Sequence, residues 1–171
     1  MTEPQDISFE GQLLALLPAL RRFARSLARS DAEGEDLLQD GIVAALSRRA
    51  QWRGLNLRSW MLAIISNRYR NSRRSHGRHP TAPLDEALDV PVPQAEPDPI
   101  GRMRLEAALN SLSPDQRMVL MLVVIEGMPY QEVADLLQIP LGTVMSRLSR
   151  ARQKISDTMA AENVIPLRRQ T

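Results

Sequence analysis

Residues 128–155 read MPYQEVADLLQIPLGTVMSRLSRARQKI, and their pattern predicts two short helices joined by a tight turn. The first covers 130–137, with Val133, Ala134 and Leu137 on one apolar face. Gln138, Ile139 and Pro140 interrupt it. Proline cannot continue a helix but suits the entry to the next one, so Pro140 and the permissive Gly142 mark a turn and a new start. In the second helix, residues spaced about 100° apart place Val144, Leu148, Ala151 and Ile155 in one narrow stripe that must be buried. Gly142, Ser146, Ser149 and Gln153 fall opposite, with Arg150 beside them, Arg147 and Lys154 on one flank and Arg152 on the other. Small hydrogen-bonding groups and cations on an exposed helix face suit base edges and phosphates in a major groove. A helix-turn-helix is therefore the first expectation. An amphipathic hairpin with a solvated basic face is the alternative that this pattern leaves open.

The whole chain has 171 residues, room for one or two small domains. Hydrophobic residues make up 43% but aromatics only 4%, so the cores must be built from Leu, Ala, Val, Ile and Met, a composition that favours helices. No run approaches the roughly 18 to 20 apolar residues that span a bilayer, and MTEPQDISFE lacks a signal pattern, so a cytoplasmic protein with no membrane insertion is expected. The absence of cysteine excludes disulfides and thiolate metal sites; His76 and His79 sit in a basic stretch with no obvious third ligand, so no metal and no cofactor is expected. A net charge of +2 does not by itself announce nucleic acid, but the distribution does more. Acidic residues gather in 31–40 and 85–98, basic ones in 68–78 and 147–154. Lys154 is the only lysine, so the cations are almost all planar bidentate guanidinium groups. Genome composition would explain the same bias.

Upstream, residues 7–27 are leucine-rich with helical period, and Pro18 predicts a break, one helix ending near Leu17 and another opening at Pro18 with Leu20, Phe23, Ala24 and Leu27 inward. Ser30 to Glu33 is a capping-box signal for a helix to about Arg49, with Leu37, Leu38, Ile42, Ala45 and Leu46 as its apolar face. Its other face begins acidic, with Glu33, Glu35, Asp36 and Asp40, and ends basic, signs that suit the helix dipole alone. The loop QWRGLN, residues 51–56, leads to a helix over 57–74 that buries Leu57, Trp60, Met61, Ile64, Ile65 and part of Tyr69. Arg58, Asn67, Arg70, Asn71, Arg73 and Arg74 remain for solvent or ligand. Trp52, Tyr69 and these arginines either form a surface where unpaired bases stack or are core aromatics beside solvated cations. Six prolines in 75–100 make that segment a linker, extended and partly stiff, with at most a short helical turn near 84–88. Beyond it, 101–112 is helical through Met103, Leu105, Ala108, Leu109 and Leu112. Ser113, Pro114 and Gln116 start a helix to about Glu126 that is apolar nearly all round, with Gly127 as its stop. The fold class is thus all-α: two small helical domains, 7–74 and 101–160, joined by a Pro-rich linker.

Three stretches in this order resemble the extracytoplasmic-function (ECF) group of bacterial RNA polymerase sigma factors, which retain only the region-2 and region-4 domains. DAEGEDLLQDGIVAAL, residues 31–46, is similar to the core-polymerase-binding helix. LRSWMLAIISNRYRNSRR, residues 57–74, is similar to the minus-ten helix. PYQEVADLLQIPLGTVMSRLSRAR, residues 129–152, is similar to the minus-thirty-five helix-turn-helix. The resemblance implies that Asp36, Leu37, Gln39 and Asp40 dock on the clamp helices of the polymerase beta-prime subunit. It implies that the loop from Trp52 through Arg53 to Asn56 receives a flipped non-template base of promoter DNA, and that Asn67, Asn71, Arg73 and Arg74 contact the minus-ten element. Thr143, Ser146, Arg147, Ser149 and Arg150 then face the minus-thirty-five element. Capturing an unstacked base needs a pocket and nearby cations rather than a catalytic group. Met145 stands where relatives often carry a basic residue, and Ser149 is small where a larger group is common.

The resemblance implies a promoter-specificity subunit, not an enzyme, controlled by an anti-sigma factor. Two other readings compete. A sigma-like mimic that sequesters a regulator would have no use for the arginines around Arg73 and Arg150. A helix-turn-helix repressor would leave the acidic helix at 31–46 unexplained. No Ser/His/Asp set or paired-carboxylate spacing suggests a hydrolase.

Overall fold

A computed structural model of the chain describes residues 8–76 and 98–161, with the side chains of 74–76 and 161 left aside. The regular structure among these residues is helical: α1 Phe9–Leu27, α2 Asp31–Ser47, a 3-10 turn Arg49–Gln51, α3 Leu57–His76, α4 Pro99–Asn110, α5 Pro114–Val124, α6 Tyr130–Leu137 and α7 Leu141–Ala161. The all-α expectation holds. The helices belong to two compact units, one built on α1, α2 and α3, the other on α4, α5, α7 and the start of α6. Most of the Pro-rich stretch, with His79 and the turn expected near 84–88, lies outside the described residues, as does the chain after 161.

In the first unit each helix packs on the other two. Ser8 caps α1, its hydroxyl accepting from Gly11 N–H at 3.2 Å. The break expected at Pro18 does not occur: α1 runs unbroken through it. Proline removes one helical N–H and crowds the carbonyl four residues back, here that of Leu14. Pro18 lies on the exposed face and Leu14 is 65% exposed, so that carbonyl opens toward water rather than into the core. Leu13 before the proline and Leu20, Phe23, Ala24 and Leu27 after it are buried on one face, which keeps both halves in line.

Ser30 caps α2 by accepting from Glu33 N–H at 3.2 Å, while Glu33 reaches back to Arg29 N–H at 2.9 Å, one residue short of the reciprocal bond. Leu37, Leu38 and Ala45 are buried as expected, joined by Gly34, Gly41 and Ala44. Leu46, expected inside, is 48% exposed beside Val43 at 65%. The cause is the two glycines, which turn their own edge of the helix inward. A Cβ on Gly34 would lie 2.8 Å from the Arg25 Cα, and one on Gly41 2.8 Å from the Ile65 Cγ1, so α2 meets α1 and α3 edge-on through backbone. On α3, Leu57, Met61, Leu62, Ile64, Ile65 and Tyr69 are buried, whereas Trp60 is half-buried, edge-on to Phe9 at 6.2 Å between ring centroids.

In the second unit the expected capping box at Ser113 and Gln116 is formed in both directions. α5 buries Met118 to Leu122 without a gap and ends at Val124, two residues early, where Val124 is 62% exposed. Gly127, at φ +64°, turns the chain, and Met128 N–H donates to the Leu122 carbonyl across it. α4 packs on α7 and contributes Ala108 to the core, followed by Leu112, whereas Met103 (70%) and Leu105 (43%) of the same apolar pattern are exposed. The two helices of the helix-turn-helix form where expected, α7 continuing past 155 to Ala161, and Val133, Ala134 and Leu137 of α6 and Val144, Leu148 and Ala151 of α7 are buried. Its turn is made differently. Gln138, not Gly142, takes the left-handed conformation, at φ +53°, and Ile139 N–H returns to the Ala134 carbonyl. The Pro140 carbonyl then accepts from Thr143 and Val144 N–H to open α7. Gly142 is simply a residue of the first helical turn.

Candidate nucleic-acid interface

α7 presents the face that its sequence promised. Gly142, Ser146, Ser149, Arg150 and Gln153 are exposed, Thr143 is half-buried, and the opposite edge is locked into the core. Ser146 donates to the Thr143 carbonyl at 3.1 Å, which leaves its oxygen able to accept from a partner. Arg150 is exposed, but Arg147 is not equivalent to it. Its guanidinium is drawn back to Asp115 in the first turn of α5 at 2.7 Å, with the side chain 24% exposed. Two helices of one core are thereby pinned by an ion pair at the margin of the reading face. Lys154, although exposed, is likewise engaged, donating to the Ser111 carbonyl. Arg152 donates to the Tyr130 hydroxyl at 3.4 Å, tying α7 to the start of α6.

In the first unit, the residues expected in the 51–56 loop occupy distinct roles. Trp52 stacks obliquely on Phe9, centroids 5.3 Å apart, and its indole N–H donates to the Leu55 carbonyl at 3.0 Å. Arg49 sits over the other ring of this pair, 5.5 Å from the Phe9 centroid, and pairs with Glu10. Trp52 is therefore the anchor of the loop, with one face already covered. Gly54 at φ +79° and Asn56 at φ +37° reverse the chain, and Asn56 Oδ1 accepts from Ser59 N–H at 3.1 Å as the cap of α3. What the loop displays is Arg53 and Leu55, the latter 78% exposed and not singled out in the sequence.

Along α3, Asn67, Arg68 and Asn71 are exposed. Arg73, expected free, is instead paired with Glu33 at the start of α2 at 2.7 Å, with its guanidinium 5.5 Å from the Tyr69 ring centroid and its side chain 16% exposed. The Arg74 side chain lies outside the described residues. On α2, Asp36, Gln39 and Asp40 are exposed on one face, while Leu37 is buried at 7% and supports that face from beneath. The apolar side chains that continue the exposed face are Val43 and Leu46. The helical period alone assigned Leu46 inward, and only the glycine-driven rotation of the buried edge reveals it. Of the two other acids of this helix, Glu35 is held by Arg21 and Arg25 of α1, at 3.0 and 2.9 Å, and Asp31 lies 3.8 Å from Arg25. Among the described residues no group of three or more His, Cys, Asp or Glu side chains could hold a metal ion, and no helix is long and apolar enough to cross a membrane.

A three-helix unit with an exposed acidic face and an Asn- and Arg-bearing helix, followed by a helix-turn-helix unit, defines a bipartite DNA-binding protein of the sigma class. Residues 13–79 match the family Sigma-70 region 2, and residues 102–155 match Sigma-70, region 4. The chain is 32% identical over 157 residues to the ECF RNA polymerase sigma factor EcfG of Rhodopseudomonas palustris, covering 90% of this chain and 86% of that one. It is 28% identical to the RNA polymerase sigma factor CarQ of Myxococcus xanthus, covering 89% of each. It is also similar to a chain in the co-crystal structure of the sigma factor RpoE with the anti-sigma factor NepR from Bartonella quintana, at 31% identity and a TM-score of 0.73, covering 91% of this chain and 98% of that one. A second likeness is to the structure of CnrH in complex with the cytosolic domain of CnrY, at 27% identity and a TM-score of 0.65, over 90% of this chain and 88% of that one. The chain belongs to the ECF group of RNA polymerase sigma factors. It is a sigma factor, which binds core RNA polymerase and promoter DNA and directs transcription initiation.

Proposed function

We propose that the two units divide promoter recognition between them. Residues 7–74 act as a region-2 domain for core polymerase and the minus-ten element, residues 75–100 as a linker, and residues 101–160 as a region-4 domain for the minus-thirty-five element. The observation that carries this reading is the pairing, in one chain, of an exposed acidic helix face with an exposed serine and arginine face on a helix-turn-helix. Asp36, Gln39 and Asp40 dock on the beta-prime clamp helices, with Leu37 holding their helix in place and Val43 and Leu46 extending the contact. Trp52 sets the loop that takes a flipped base, Arg53 and Asn56 flank it, and Asn67, Asn71 and Arg74 follow the strand. Arg73 joins them when Glu33 releases it. Thr143, Ser146, Ser149 and Arg150 face the upstream element, with Arg147 at their margin.

The protein works by binding rather than by chemistry, in the cytoplasm, without a cofactor or a metal. An anti-sigma factor controls it, a reading supported by the likeness to the sigma factor RpoE of Bartonella quintana, whose co-crystal structure holds the anti-sigma factor NepR. The test is run-off transcription by core polymerase reconstituted with this chain, on duplex promoters selected by that holoenzyme from a randomised library. Promoter-dependent transcript is expected. Loss of both core binding and transcript would leave a mimic or a repressor as the reading. Arg150→Ala should cost about 1 to 3 kcal/mol of promoter binding and relax selectivity at one base pair. An equal loss on every sequence would make Arg150 a phosphate contact.

A further inference from the structure

The exposed face of α7 is not uniformly polar. Leu141 (40% exposed) and Met145 (53% exposed) stand four residues apart, one above the other, on the N-terminal half of the helix. Recognition helices present this half to base edges. Met145 borders an open groove of about 440 Å³ whose lining also includes Tyr130, Leu148, Ser149, Arg152 and Gln153. Its lining joins apolar Met145 and the buried Leu148 with polar side chains, among them Arg152 and Tyr130, which are hydrogen-bonded to each other. Arg150 and Arg152, both exposed, give the surroundings the positive charge that a DNA backbone requires.

Among the groups at the floor of a B-form major groove, the one apolar group that differs between base pairs is the thymine C5 methyl. Guanine and adenine present hydrogen-bonding atoms at the distinguishing positions, and cytosine its amino group beside a bare C5–H. An apolar side chain on a DNA-reading face finds a matching surface only there. Methionine is unbranched and polarizable, and it adapts to a small apolar partner without a fixed rotamer. We propose that Met145, with Leu141 beside it, reads a thymine methyl in the upstream promoter element, as a specificity-determining residue separate from the hydrogen-bonding set around Arg150. This rests on the assignment of 101–160 as the unit that binds the upstream element.

The experiment removes the methyl and nothing else. Holoenzyme reconstituted with the full chain selects promoters from a randomised duplex library, and each thymine of the upstream element is then replaced singly by deoxyuridine. Wild-type holoenzyme is expected to lose about three- to fourfold in affinity at one or more of these positions, the worth of one buried methyl. Met145→Ala should bind the thymine and deoxyuridine duplexes equally, and Met145→Leu should keep the preference. Since the side chain is exposed, the circular dichroism and melting of both variants should match wild type. Indifference of the wild-type holoenzyme to every substitution overturns the inference, as does a methyl preference that persists undiminished in Met145→Ala. Failure to select any promoter sinks the sigma reading and this inference together, whereas the former two results sink the inference alone.

Discussion

Single residues carry information here chiefly through what they are bound to. Arg73, Arg147 and Arg150 are indistinguishable by side-chain type, yet the first is held by Glu33, the second by Asp115, and the third is exposed. A carboxylate partner lowers the charge a phosphate meets, because the cation is already partly neutralised and must be released before it can bind. Sequence pattern could not separate them, since each partner lies on another helix and far away along the chain. Ser66 makes the converse point. It is fully buried on α3, and its hydroxyl has no hydrogen-bond partner among the described residues. A buried hydroxyl without a partner has lost its hydration for nothing, at a cost of about 1 to 3 kcal/mol. Ser66→Ala should therefore leave stability unchanged or raise it by about 1 kcal/mol in urea titration. A loss of similar size would mean that the hydroxyl has found a partner in solution.

At the level of elements, α2 shows how packing overrides period. Its two inward glycines, seven residues apart, allow α1 and α3 to approach so closely that Leu46 is left outside. Replacing either glycine by alanine should gain about 1 kcal/mol in intrinsic helix propensity. The steric term is expected to win. At Gly34 the new methyl meets the Arg25 backbone, which cannot yield without moving α1; at Gly41 it meets the Ile65 Cγ1, a buried side-chain atom that shifts more readily than a helix backbone. Both variants should be destabilised, by about 1 to 3 kcal/mol, with Gly34→Ala the worse of the two in thermal or chemical unfolding. The reverse order would place the tight contact at α3 instead. Pro18 belongs to the same scale. Local chemistry argues for a break, and the chain keeps one continuous helix, with residues on both sides of the proline buried on one face.

At the scale of the whole molecule, a bipartite reader gains from tethering. Once one unit is placed, the other binds as an intramolecular step, with an effective concentration set by the connecting segment. A protease site inserted between residues 77 and 97 and cut after folding should therefore lower promoter-dependent transcription at nanomolar protein by on the order of a hundredfold, while core binding by the first unit persists. Undiminished transcription after cleavage would show that the two units do not share affinity through the chain. By itself the sequence determined the all-α class, the succession of helices apart from the break expected at Pro18, the capping at Ser30 and Ser113, and the place of the helix-turn-helix, because these follow from local propensity and from periodicity along one element. It also carried the order of motifs that marks the family. Only the tertiary structure decided which edge of α2 is buried, that Gln138 rather than a glycine makes the turn, that Trp52 anchors its loop against Phe9, and which arginines are tied down. These depend on contacts between residues far apart in the chain, where the close approach of backbones and the pairing of charges outweigh the preference of any one segment.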